Sequence, residues 1–211
     1  MHTVVYTGEK DPRAFKDVFG ALIPSLCAED PDIIYLDADL SSCVGLGAWA
    51  AAHPGRAVNC GIAEANMIGV AAGLASTGYK PIAHTFGAFA SRRCFDQVFL
   101  SAGYAHNDIT VIGSDPGVCA AFNGGTHMPF EDIALYRTIP GSTVIDATDT
   151  SLLESALRQA VHLPGVKYIR MGRRQNARVY ARGAHLPIGR AVKLRDGGDL
   201  LIVAEGIMVH E

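Results

Sequence analysis

The feature that most narrows the fold is a regular alternation of short, almost continuous apolar runs with longer segments of helical period. The runs "DIIYLDAD" (32–39), "KPIAHTF" (80–86), "DITVIGSD" (108–115), "STVIDAT" (142–148) and "VKYIRM" (166–171) have the length and composition of buried strands. Between them, residues 14–29, 64–76, 90–104, 130–137 and 150–163 repeat at helical spacing, the last entered through Asp149 and Thr150 as caps. Strands that are apolar throughout and separated by helices form parallel sheets, because a parallel pair needs a crossover connection. The pattern therefore predicts an α/β fold: a mostly parallel sheet with helices on both faces. Ligands in such folds bind beyond the carboxyl ends of the strands. The residues to inspect are thus Asp37, Asp39, Phe86, Asp115 and the basic stretch 170–174.

Composition removes several classes of function. The 211 residues carry 18 basic and 21 acidic side chains, a net charge of −3, and no basic run, so no nucleic-acid partner is expected. No apolar run approaches the roughly 20 residues needed to span a bilayer, and no membrane role is expected. The five cysteines, Cys27, Cys43, Cys60, Cys94 and Cys119, form no CxxC pair, and no signal segment opens the chain. They read as reduced core thiols of a cytoplasmic protein.

After residue 182 the chain changes character. "GAHLPIGRAVKLRDGGD" is a Pro/Gly-bearing connector, and "LLIVAEGIMVHE" reads as a buried first strand at 200–204 followed by a helix entry at Gly206. The expected division is a domain over 1–182, then a linker and the opening of a further domain over 183–211. The other reading is an extra edge strand on the main sheet.

One carboxylate is out of place. In "NCGIAEANMIGVAAGLASTG" (59–78), Glu64 stands at the mouth of a helix built of small and apolar residues. Met67, Ile68, Ala71 and Leu74 make its apolar face, while Ala65, Gly69, Ala72, Gly73 and Ser76 permit close approach of another helix, including one from a neighbouring copy in an assembly. Interior glycines each cost about 0.5–1 kcal/mol relative to alanine, so a packing reason is expected. The plain reading of Glu64 is a helix N-terminal acid, favoured by the macrodipole by about 0.3–1 kcal/mol. Two later stretches add to it: "HTFGAFASRRCFDQV", with Phe86 and Phe89 three apart, and the loop "GSDPGVCAAFNGGTHMPFED", with Asp115, Asn123 and His127 among glycines. Singly, the phenylalanines read as core, His127 as a helix-entry residue and the glycines as turns.

Taken in order, "GIAEANMIGVAAGLA", "HTFGAFASRRCFDQV", "GSDPGVCAAFNGGTHMPFEDIALYRTIPG" and "IRMGRRQN" resemble the pyrimidine-binding domain of transketolase, a thiamine diphosphate enzyme, over roughly residues 13–176. The resemblance implies a role for each matching residue. Glu64 would face a ring nitrogen of the cofactor's aminopyrimidine, where a desolvated carboxyl can share a proton. Phe86 and Phe89 would pack on the pyrimidine ring. Arg92 falls where sugar transketolases carry another aromatic and deoxyxylulose phosphate synthase an arginine. Leu40 would support the bent cofactor, with Asp39 beside it. His127 matches a histidine that contacts the donor's oxygens. Asn123 replaces an aspartate that reads a substrate hydroxyl, and Asp115 replaces a histidine that helps hold the sugar phosphate. Arg174 matches the phosphate-binding arginine; Arg13 is either its second member or a solvated first-turn arginine.

"GIAEAN" stands where long-chain transketolases have "GIREH", a departure shared with short, split transketolases. The family holds the diphosphate through magnesium or calcium bound by a "GDG...N" motif of a separate domain, and no such motif occurs here. The resemblance thus implies no metal site in this chain. The metal and diphosphate would be held by an N-terminal-type subunit, in an assembly containing a homodimer of this chain or a heterotetramer. The reaction implied is transfer of a two-carbon ketol unit from a phosphorylated ketose to an aldose. Competing readings are half of another thiamine enzyme, either a 2-oxo-acid dehydrogenase beta-type subunit or a deoxyxylulose phosphate synthase, and a non-catalytic interaction subunit. "FNGGTHMPFED" and "RRQN" favour transketolase.

Overall fold

A computed structural model describes residues 4–211; the first three residues of the expected 1–182 domain lie outside the described part. Among the described residues six strands form one sheet: β1 (Ile33–Asp37), β2 (Ala57–Asn59), β3 (Lys80–Phe86), β4 (Ile109–Ser114), β5 (Thr143–Asp146) and β6 (Val166–Met171). Their order is β2-β1-β3-β4-β6-β5 and every pairing is parallel. The α-helices that accompany them are α1 (Phe15–Glu29), α2 (Gly47–Ala52), α3 (Glu64–Ser76), α4 (Gly87–Ala90), α5 (Phe95–Gln97), α6 (Asp132–Arg137) and α7 (Thr150–Ala160).

The strands read as continuous apolar runs because both sheet faces are covered. Successive side chains point to opposite faces, so β1 sends Ile33 and Tyr35 into one core with Phe15, Phe19, Ile23, Leu153 and Leu157 of α1 and α7. Ile34 and Leu36 enter the other core, with Met67 and Ile68 of α3 and Tyr136 of α6. At the start of α7, Asp149 Oδ1 accepts the Leu152 N–H at 2.8 Å, while its Oδ2 accepts the N–H groups of Val179 and Tyr180, each at 2.8 Å. The expected cap therefore also ties the chain beyond β6 back onto the domain.

Several boundaries differ from the sequence pattern. The helix expected over 90–104 is broken: α4 ends at Ser91, whose φ of −108° and ψ of −97° leave the helical region, and after α5 the chain continues as a π-helix, Val98–Tyr104. Gly103 fits because a Cβ there would meet Ile139 Cγ2 at 2.7 Å. β2 and α2 escape the pattern because each is short and its residues are only partly covered. Cys27 and Cys94 are buried core thiols, whereas Cys43 is exposed and Cys60 and Cys119 are half-buried, so the cysteines are free but not uniformly core. Leu200, Leu201, Ile202 and Val203 form no strand and are 78–86% exposed, so the run adds no edge strand to the sheet. Among the described residues no helix is long and apolar enough to cross a membrane.

His84 of β3 is fully buried, bonded at 3.2 Å to both the Tyr35 hydroxyl and Ser114 Oγ. Burial, helped by the positive charge of Arg173, pushes its pKa from 6.5 down to about 3. Between those values the unfolded chain binds a proton that the native chain does not. This contribution is therefore complete above pH 6.5 and lost as pH falls toward 3. Urea unfolding between pH 7 and pH 4 should show a His84 contribution approaching about 1.4 kcal/mol per pH unit, absent in His84→Gln.

Candidate active site

The parallel sheet brings the carboxyl ends of its strands to one edge, where the candidate residues follow. Phe86 pairs with Ser114 across β3 and β4, and Ser114 with Met171 across β4 and β6. Asp39 and Leu40 come just after β1, Asp115 just after β4, and Arg173 and Arg174 just after β6. Glu64 opens α3, reached directly from β2.

Glu64 is 2% exposed. Its Oε1 receives Arg93 Nη1 at 2.9 Å and the Thr85 hydroxyl at 3.5 Å, while Oε2 is buried with no hydrogen-bond partner among the described residues. A helix N-terminus favours such a charge but does not require burying it. Leaving a buried acceptor unpaired costs about 1–3 kcal/mol, so the unpartnered oxygen marks a place where a donor from outside this chain would be accommodated.

Beside Glu64 lies an aromatic cluster. Phe86 ends β3 and Phe89 lies on α4, with ring centroids 6.0 Å apart; His127 meets them edge-on at 5.6 and 4.9 Å. The close approach depends on Gly87, where a Cβ would lie 2.9 Å from Pro129 Cγ. His127 Nδ1 contacts Thr126 Oγ1 at 2.9 Å. Arg92 donates to the carbonyls of Gly125 (3.4 Å) and Thr126 (2.9 Å) and pairs with Glu131 at 2.8 Å. It thereby pins the loop that carries His127. A cavity of about 340 Å³ opens between Phe89, Arg92, Arg93, Thr126 and His127.

The remaining candidates lie around this cluster. Asp39 lines a second cavity of about 340 Å³, with Asp37, Ser41, Ser42 and Asn59. Its φ of 64° is held by its N–H donating to Asp37 Oδ1 at 2.9 Å and by Asn59 Nδ2 at 3.0 Å. Burial pushes the Asp37 carboxyl up from its ordinary value. Leu40 is half-buried at the start of the 3₁₀ turn Ser41–Val44. Asp115, also left-handed at φ 56°, is buried and in close ionic contact with Arg173 at 2.5 Å, though off the axis of a good hydrogen bond. Burial raises the Asp115 pKa and Arg173 opposes the rise. Asn123 is exposed on the turn Ala121–Asn123, and Arg174 is exposed with its guanidinium 5.8 Å from the Phe122 ring centroid. Arg13 differs: its guanidinium is engaged by Asp11 and Thr150 at 3.2 and 3.1 Å, with Glu154 at 4.0 Å, none of them a candidate residue.

Two side chains to which the sequence assigns no individual role, Arg173 within the basic stretch 170–174 and Arg93 outside it, touch the cluster directly. Arg93 lies over Phe89 at 3.6 Å from the ring centroid, and Arg173 over Phe86 at 5.0 Å. Each belongs to an arginine doublet whose other member, Arg92 or Arg174, is the expected site residue. Among the described residues no group of three His, Cys, Asp or Glu side chains could hold a metal ion.

A buried carboxylate with an unpartnered oxygen beside flat aromatic faces has the chemistry that a heteroaromatic ring with N–H donors would require. Residues 11–178 match the family described as "Transketolase, pyrimidine binding domain", and the chain belongs to that family. Family membership implies thiamine diphosphate as the cofactor. The chain is 45% identical over 196 residues to the 6-deoxy-6-sulfo-D-fructose transketolase subunit SqwH of a Clostridium species, covering 93% of this chain and 61% of that protein. It is 32% identical to an apulose-4-phosphate transketolase subunit of Phocaeicola vulgatus, covering 93% and 64%. Among solved structures, one described as "Split gene transketolase, inactive beta4 tetramer" superposes with a TM-score of 0.81 at 35% identity, over 92% of this chain and 63% of that one. The transketolase of Campylobacter jejuni shares the fold at TM-score 0.72 and 18% identity, over 81% and 27%. The chain thus spans about three fifths of the length of these shorter relatives.

Arg92→Ala should leave global stability within about 1 kcal/mol, because the Glu131 pair is half-exposed. Backbone amide exchange at 125–128 should nevertheless accelerate on the order of tenfold as the charged donor to two carbonyls is lost. Exchange measured by mass spectrometry checks this, and unchanged protection would mean Arg92 does not hold the loop.

Proposed function

We propose that this chain is the pyrimidine-side subunit of a split transketolase, moving a two-carbon ketol unit from a phosphorylated ketose to an aldose. The observation that carries the reading is the unpaired, buried Oε2 of Glu64 beside Phe86, Phe89 and His127. The site fits the aminopyrimidine of thiamine diphosphate in chemistry: an acceptor for a ring N–H, and aromatic faces for a flat base. When bound, the cofactor supplies the carbon nucleophile that takes up the ketol unit.

The chain's own residues do the rest. Glu64 holds or shares a proton at its free oxygen, in a pocket where burial excludes water. Phe86 and Phe89 fix the plane of the base. Leu40 and Asp39, after β1, flank the cofactor from the neighbouring cavity. His127, with Nδ1 engaged by Thr126, offers Nε2 to the oxygens of the donor. Asn123 reads a hydroxyl as a neutral amide, and Arg174 takes the terminal anion through its fork of donors. Asp115, already bound to Arg173, leaves that arginine less available to substrate, and Arg13 is held by Asp11 and Thr150, which favours a structural part for it.

The metal, magnesium or calcium, and the diphosphate belong in this reading to an N-terminal-type partner subunit. Association of this chain with itself is supported by Gly69 and Gly73, whose missing Cβ atoms face open space on α3, and by the tetramer named for the split-gene relative. We place the domain boundary near residue 182, with 183–211 as linker and the beginning of a C-terminal domain whose apolar run at 200–203 is exposed here. A cytoplasmic setting suits the five free thiols.

Titration of thiamine diphosphate and magnesium by calorimetry, into this chain alone and with the N-terminal-type subunit, should show tight binding only in the mixture. A ketose-to-aldose assay on the mixture should show turnover with ketoses bearing a terminal phosphate or, given the name of the Clostridium relative, a sulfonate. Glu64→Gln should lower kcat by at least about a hundredfold; unchanged turnover would remove Glu64 from catalysis. Tight metal-dependent binding to the lone chain would overturn the half-site.

A further inference from the structure

Arg93 makes contacts that the proposed function reserves for something else. It follows Ser91, where the backbone leaves the helical path between α4 and α5, and its side chain is 44% exposed. From there the guanidinium reaches inward, lying 3.6 Å over the centroid of Phe89 and donating at 2.9 Å to Oε1 of the buried Glu64. A guanidinium is planar and delocalised, stacks on aromatic faces and presents N–H donors in its own plane. An aminopyrimidine shares that description: a flat amidine-like ring with in-plane N–H donors.

We infer that Arg93 is a displaceable occupant of the base site, which neutralises Glu64 and covers Phe89 until the cofactor's pyrimidine replaces it at both. The inference rests on the proposed function. Three observations favour displacement over permanent support. The stacked position is over the face of Phe89, one of the two rings proposed to receive the base. The arginine itself lines the cavity with Phe89, Thr126 and His127 and is partly exposed, so solvent is open to it when it leaves. Its neighbour Arg92 is anchored to the 125–131 segment by three separate partners, whereas Glu64 is the one acidic partner of Arg93 among the described residues. The two adjacent arginines thus divide the work: one fixes the loop, the other guards the pocket.

The consequence is a trade between cofactor-free stability and cofactor affinity. A buried carboxylate stripped of its cation is destabilising, whereas a site already vacated binds without displacing anything. Arg93→Met keeps much of the apolar stem and removes the charge and the donors. In the cofactor-free chain it should lower the thermal midpoint. In the complex with the N-terminal-type subunit and magnesium, calorimetry should show thiamine diphosphate binding about three- to tenfold tighter than wild type. Arg93→Lys, which keeps a cation but loses the flat fork, should fall between the two, and it carries the test if the methionine variant does not fold. Weaker binding in either variant would show that Arg93 stays and supports the base, overturning the inference while leaving the transketolase reading intact. Unchanged stability and affinity would also overturn it. Wild-type complex that binds no thiamine diphosphate would overturn both readings together.

Discussion

Parallel pairing is the constraint on which the rest depends. A parallel strand must be followed by a crossover, and each crossover here returns the chain to the same end of the sheet, so five connections deliver five loops to one edge. Residues far apart in sequence meet there without any loop having to travel. Glu64 after β2 touches Thr85 near the end of β3, and Asp115 after β4 touches Arg173 after β6. The chemistry of the site is a property of that edge rather than of any one motif.

Holding the edge in shape is a buried polar knot beneath it. Tyr136 and Tyr168 stack with centroids 3.9 Å apart and planes 4° apart, possible because Gly113 has no side chain: a Cβ there would sit inside Tyr168. The Tyr168 hydroxyl donates to Asp132 Oδ2, which also receives Arg170 Nε, both at 2.8 Å. Arg170 in turn binds Asp146 of β5. One chain of contacts therefore joins β4, β5, β6 and the first residue of α6. Since α6 begins five residues after His127, the knot fixes one end of the histidine's loop and Arg92 fixes the other. Asp132 Oδ1 is itself buried without a hydrogen-bond partner among the described residues, so what sets the unpaired oxygen of Glu64 apart is the pair of aromatic faces near it rather than the missing partner alone.

How much of this was legible in the sequence follows from the range of each interaction. The strands β3, β4 and β6 were readable because burial on both faces writes a continuous apolar run, and α7 because Asp149 caps it locally. β2 was not, since a three-residue edge strand, partly covered, leaves no run to read. The break at Ser91 was hidden because apolar spacing continues through it at helical period. The motif residues Glu64, Phe86, Phe89 and His127 do gather in one place. What spacing could not decide was which arginine of each doublet faces them, because adjacent residues in an irregular turn point in directions set by a backbone kink that only the tertiary fold imposes. Both times the neighbour of the expected residue, Arg93 and Arg173, lies on the phenylalanine.

That pairing of arginines with aromatic faces explains how the site proposed for an external ring is kept covered without one. Exposed phenylalanine faces next to a buried carboxylate would otherwise combine unsatisfied charge with wetted apolar surface, two costs in one pocket. A guanidinium meets both, with its carbon 3.6 Å over the ring centroid while Nη1 donates to the acid. Arg173 repeats the arrangement with Phe86 and Asp115. The two differ where function would separate them. Arg173 is 29% exposed and its carboxylate lies on the strand-end turn beside it, so its contacts are built into the edge. Arg93 is more exposed and spans from one crossover to another, bridging α3 and the α4–α5 turn, so in the proposed exchange its place at Glu64 is taken by the incoming base. The same side-chain chemistry thus serves as a fixture on one ring and as a removable cover on the other.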